Sequence, residues 1–151
     1  MRIYLPASLD QLGPTAGPFA PRRVHAVTPA LRAMFPDEDD EGLEFAAQLA
    51  AADDSLELLG ARPAAPQLRL VVSVDVPDSA VLEVSSDEDV PSAVELTHAV
   101  PQEDVICVHV DEPGAAADVV LAASGDEAAV DRLDERDLLW YDASELGDVP
   151  R

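Results

Sequence analysis

A change of hydrophobic period near residue 60 constrains this chain more than any other feature. Phe45, Leu49, Ala52, Leu56 and Leu59 are spaced four, three, four and three apart, the stripe of an amphipathic helix over 41–59. Gly60 reads as its C-cap, and Pro63 and Pro66 bar its continuation. Immediately afterwards Leu68, Leu70, Val72, Val74 and Val76 alternate with Gln67, Arg69, Val71, Ser73 and Asp75. That period of two predicts a strand over 67–76 with one buried and one wet face, the habit of antiparallel or mixed sheets. A helix feeding such a strand must lie on a sheet.

The remaining segments follow from local signals. A strand is expected at 2–5, ending at Pro6, and another at 23–27. Thr28-Pro29 can cap and open a short helix over 29–35 that stops before Pro36. Further strands are expected at 81–84, 93–100, 105–110 and 138–141, the third apolar on both faces and therefore central. Ser85-Ser86-Asp87-Glu88-Asp89 reads as a solvated loop. Helices are expected at 114–123, stopped by Ser124-Gly125, and at 126–133, capped by Asp126, with a last turn at 143–146. Strands cluster in mid-chain and helices lie towards both ends. This order predicts one α+β domain over 1–151, a mixed, mostly antiparallel sheet with helices packed on one face, ferredoxin-like or a related two-layer fold.

Charge excludes whole classes of function. There are 31 acidic residues against nine basic ones, all Arg, and the net charge is −22. Direct nucleic-acid binding and anionic membrane surfaces both require a basic patch, and Arg22-Arg23 is the densest one present. No apolar run is long enough to span a membrane, and none of signal-peptide length follows Met1. Cys107 is the single cysteine and has no internal disulfide partner. Together these predict a cytoplasmic protein. The absence of Lys and the Ala runs point to a high-GC genome more than to salt adaptation.

Few residues form a chemical pattern. Asp37, Asp39, Glu41 and Gly42 match the start of a calcium-binding EF-hand loop, but Glu44 and Gln48 stand where an apolar residue and a bidentate Glu belong. The run reads instead as the acidic start of a helix. Cys107, His109 and Asp111 share one face of the central strand if it reaches Asp111, suggesting thiol or general-base chemistry. Residues two apart on a strand lie about 6–7 Å from each other at Cα with their side chains parallel, and triads usually draw their members from different elements. A buried inert Cys beside a hydrogen-bonded His is the plainer reading. Of the other histidines, His98 on an apolar face reads as a core residue, and His25 has no partner at metal-ligand spacing. No metal or cofactor is expected: phosphate-binding glycine loops and a nucleophile elbow are missing, and Schiff-base chemistry requires Lys.

Trp140 and Tyr141 are adjacent in an expected strand, so they point to opposite faces; one of them at the surface would be an interface anchor. The expected function is a small non-enzymatic interaction domain that docks a basic protein partner. A small enzyme using His109 and Asp111 and an acidic nucleic-acid mimic are the alternatives, and a homodimer is compatible with each.

The segments RIYLPASL (2–9), HAVTPALR (25–32), EGLEFAAQLAA (41–51), VHVDEPGAAADV (108–119) and DLLWYDASEL (137–146) resemble an actinobacterial family known as a domain of unknown function. The resemblance spans nearly the whole chain. It implies one complete domain from a high-GC bacterium and assigns no functional residue.

Overall fold

The computed structural model describes residues 1–84 and 90–151; the loop expected at 85–89 lies outside them. Strands β1 (Arg2–Ala7), β2 (Arg23–His25), β3 (Leu70–Asp75), β4 (Val81–Glu83), β5 (Ala93–Leu96), β6 (Val105–Val110) and β7 (Leu139–Asp142) form one sheet. Their order is β4-β5-β2-β1-β3-β6-β7. Every pairing is antiparallel, so the sheet is not mixed. Helices α1 (Pro29–Met34) and α2 (Asp40–Gly60) link β2 to β3, and α3 (Ala116–Ala123) and α4 (Glu127–Asp134) link β6 to β7. The result is an open antiparallel α+β domain with its helices on one face, larger than a four-stranded ferredoxin-like sheet.

Two caps fall where the sequence puts them, at Thr28 and Asp126, and a third forms at Asp39. The Thr28 side chain accepts from Leu31 N, Asp39 from Gly42 N and Asp126 from Ala129 N. The acidic run is thus the start of α2, where carboxylates complement the helix dipole. Gly125 takes a positive φ of 101°, which ends α3 at little steric cost. Pro6 does not end β1. Its carbonyl accepts from Arg22 Nη1 at 3.0 Å, and the pairing with β3 continues past it through Pro6↔Val71 to Ala7↔Leu70.

Three expectations fail for identifiable reasons. The first is the buried face of α2. Its buried residues are Leu43, Ala47, Ala51, Ala52, Ser55 and Leu59, whereas Phe45 and Leu49 are exposed. Small side chains at Ala47, Ala51, Ala52 and Ser55 let the helix lie close to the sheet, while Phe45 and Leu49 turn outward. Ser55 fixes this docking: its hydroxyl donates to Ala7 O at 2.7 Å and accepts from Leu70 N at 3.0 Å, bridging the last pair of the β1–β3 ladder.

The second is the wet face of β3. Val71, Ser73 and Arg69 are all buried, because the sheet is covered on both sides. Opposite the helices, Ile3, Leu5, Leu70, Val72, Val74, Val108 and Val110 join the largest core cluster. Leu9, Leu12, Phe19 and Val149, from short turns and loops, close it. On the helix side Tyr4 and Val71 pack against Leu43, Ala47 and Ala51.

The third concerns chain ends of elements. Gly60 is the last residue of α2 and Ala61 its cap; a Cβ at Gly60 would stand 3.2 Å from the Ala123 carbonyl oxygen, so glycine admits the end of α3. β5 stops at Leu96, which leaves His98 exposed with Nδ1 2.8 Å from Thr97 Oγ1, not in the core.

Candidate functional site

Cross-strand neighbours share a face, so register places the side chains. Tyr4 pairs with Ser73 and Ser73 with Cys107; Val71 pairs with His109 and His109 with Trp140. All these residues face the helices. α2 packs against β1, β2 and β3. Beside its N-terminal half a cavity of about 590 Å³ opens over the sheet, within the size range of ligand sites. Tyr4, Ser73, Cys107 and His109 from the strands line it from below. Glu41, Glu44, Phe45 and Gln48 from α2 and Trp140 from β7 stand around it.

Two polar atoms in this cavity lack partners. Ser73 is 1% exposed, and neither its Oγ nor His109 Nδ1 makes a hydrogen bond. Burial lowers the pKa of His109 and so favours its neutral imidazole. Tyr4 is pushed up to about 12, first by burial and then by the negative charge of Glu44. Arg2 also lines the cavity, but its charge is engaged by Asp75: Nε donates to Oδ1 at 2.6 Å and Nη2 to Oδ2 at 3.3 Å. That hydrogen bond is the main reason the Arg2 pKa is raised and the Asp75 pKa lowered.

Asp111 does not join His109. It lies one residue beyond β6, 1% exposed, and accepts from Arg69 Nε at 2.9 Å, Nη2 at 2.7 Å and the backbone N at 2.8 Å. A bidentate buried pair satisfies both ions, and none of these bonds reaches the imidazole. Of the three residues aligned by sequence spacing, Cys107 and His109 share the cavity and Asp111 is a structural ion. Trp140 and Tyr141 do separate: Tyr141 packs against the large core, and Trp140 is 57% exposed at the cavity.

A second constellation escaped sequence reasoning. His25 Nδ1 lies 2.8 Å from Ser92 Oγ, and its Nε2 lies 2.7 Å from Asp54 Oδ2. Arg23 Nε stands 3.2 Å from the same carboxylate oxygen. The connectivity is that of a Ser–His–Asp triad, but a catalytic histidine presents Nε2 to serine and Nδ1 to aspartate, the reverse of this order. Ser92 and His25 are also sealed from solvent. The network ties β2, α2 and the approach to β5 together and offers no nucleophile to a substrate.

No group of three or more His, Cys, Asp and Glu among the described residues is placed to hold a metal ion. No helix among them is long and apolar enough to cross a membrane. What remains is a patch of aromatic and acidic side chains around one cavity, built by elements spread from residue 4 to residue 140, and the match to a family runs over the same span. The chain belongs to DUF6912, a family of unknown function. Its model matches residues 1–149, so strands, helices and cavity all lie within the DUF6912 match. No curated protein and no solved structure matches the chain.

Proposed function

We propose that this protein is a non-enzymatic interaction domain that docks a basic protein partner on the surface around Trp140. One observation carries the reading: Trp140, Phe45 and Leu49 are 57%, 54% and 46% exposed, and two of them line a single cavity bordered by Glu41 and Glu44. Exposed aromatic side chains at a concave site are the usual anchors of an interface. The net charge of −22 supplies the selection for a basic partner and accelerates encounter. The same reading places the protein in the reducing cytoplasm of a high-GC actinobacterium, with Cys107 as a thiol.

A second reading, a small enzyme using His109, has in its favour a cavity that brings Tyr4 and His109 together. It lacks the group that would orient the imidazole, since Asp111 is engaged by Arg69 and Nδ1 is unpartnered. Affinity capture from native lysate, with wild type and Trp140→Ala in parallel at low and high salt, decides for docking. The expected result is one stoichiometric partner, lost at high salt and lost with Trp140→Ala at unchanged melting temperature. A partner retained by Trp140→Ala refutes the assignment.

A further inference from the structure

The cavity beside α2 is unusual in what it offers a ligand. Its polar floor is unsatisfied: Ser73 Oγ is buried without a partner, and so is His109 Nδ1. Both can accept a hydrogen bond, and a group left this way gains by meeting a donor. Around them stand side chains with unspent negative charge. Glu41 and Glu44 form no ion pair among the described residues, and Asp39, also lining the cavity, uses one oxygen to cap α2. The one cation in the lining, Arg2, is engaged by Asp75. The aromatic residues Trp140, Phe45 and Tyr4 supply π faces.

Acceptors below, carboxylates at the side and aromatic faces around them describe the complement of a flat cation rich in donors. A guanidinium has five N–H donors in a plane, no acceptor, weak hydration and a face that stacks on aromatic rings. An ammonium is a compact, strongly hydrated point with three donors, and it cannot stack. The volume of about 590 Å³ admits an entire arginine side chain with accompanying water. We propose that this cavity receives an arginine side chain of the basic partner, stacked against Trp140, paired with Glu44 and hydrogen-bonded at its inner end to Ser73 and His109. The proposal rests on the docking reading and specifies what enters the site.

The test is an NMR titration of the ¹⁵N-labelled chain with three probes: N-acetyl-arginine methylamide, the lysine equivalent, and the uncharged isostere N-acetyl-citrulline methylamide. The single Trp gives one indole N–H signal, a reporter inside the site. Saturable shifts at Trp140, Ser73 and His109 are expected with the arginine probe, at least tenfold tighter than with citrulline or lysine. Trp140→Ala and Glu44→Gln, both at accessible positions, should each weaken it at least tenfold, and Ser73→Ala about threefold. Equal binding of the citrulline probe overturns the proposal, as does equal binding of the lysine probe. Arginine shifts scattered over the acidic surface also overturn it. The two readings fail separately. A partner lost with Trp140→Ala but no arginine binding removes the arginine site and leaves docking. Arginine binding with a partner indifferent to Trp140→Ala removes docking at this face.

Discussion

Asp111→Ala separates a structural role from a catalytic one, and its cost can be worked from the geometry. The carboxylate is 1% exposed and its partner Arg69 5% exposed. Removing it strands two guanidinium N–H groups and one backbone N–H, bonded at 2.9, 2.7 and 2.8 Å. Breaking a buried pair from one side costs about 3–5 kcal/mol, mostly because the surviving charge is left without compensation. At ~2–4 °C per kcal/mol for a domain of this size, the melting temperature should fall by about 6–20 °C. Urea denaturation followed by circular dichroism reads the same loss as a lower midpoint at unchanged slope. Replacing both partners, Arg69→Met with Asp111→Leu, should recover part of the loss but stay about 1–3 kcal/mol below wild type, since the buried charge is then gone while the Arg69 backbone N–H is left without its acceptor. A loss below ~1 kcal/mol for Asp111→Ala would show that Arg69 finds water or another carboxylate, and would refute the account of this pair. An unchanged melting temperature with lost function would return Asp111 to His109.

Ser55→Ala should cost about 1–3 kcal/mol, because it removes bonds to both Ala7 O and Leu70 N at the end of a buried ladder. Faster hydrogen exchange at the Leu70 amide, without change at β6, is the local readout. Tyr4 should ionise near pH 12 in an absorbance titration. The folded state holds a proton that the unfolded chain releases near pH 10, so its stabilisation is complete below 10 and is lost as pH rises through about 12. A Tyr4 that ionises near 10 contradicts its burial beside Glu44.

Much of the fold was legible because its signals are local. Caps at Thr28 and Asp126, the Gly125 stop and the period-two run of β3 depend on neighbouring residues only, and each is found in the structure; the Asp39 cap is not singled out by the sequence, and the strand expected over 93–100 ends at Leu96. The faces were less legible. Phe45 and Leu49 fit a helical stripe as well as Leu43 and Ala47 do. What selects the small residues is the closeness of α2 to the sheet, a tertiary property. Arg69 and Ser73 alternate like a solvated edge, and nothing in β3 alone shows that α2 will cover it. The site was partly visible for the same reason. Cys107, His109 and Trp140 sit on readable strands. Their meeting with Tyr4 and Glu44 depends on strand order, which pairs Val71 with His109 and His109 with Trp140. The ion pair of Asp111 was not legible because spacing along one strand says nothing of Arg69, which precedes the next strand in the sheet. Phe45, taken as core, belongs to the candidate site.

The most direct test of the central claim is the affinity of the captured partner, by calorimetry, for wild type and for the double variant Trp140→Ala, Phe45→Ala. Both side chains are more than half exposed, so the melting temperature should hold within about 2 °C. The account predicts a loss of at least tenfold in affinity, about 1.4 kcal/mol or more. An unchanged affinity would contradict it and place the docking surface elsewhere on the molecule.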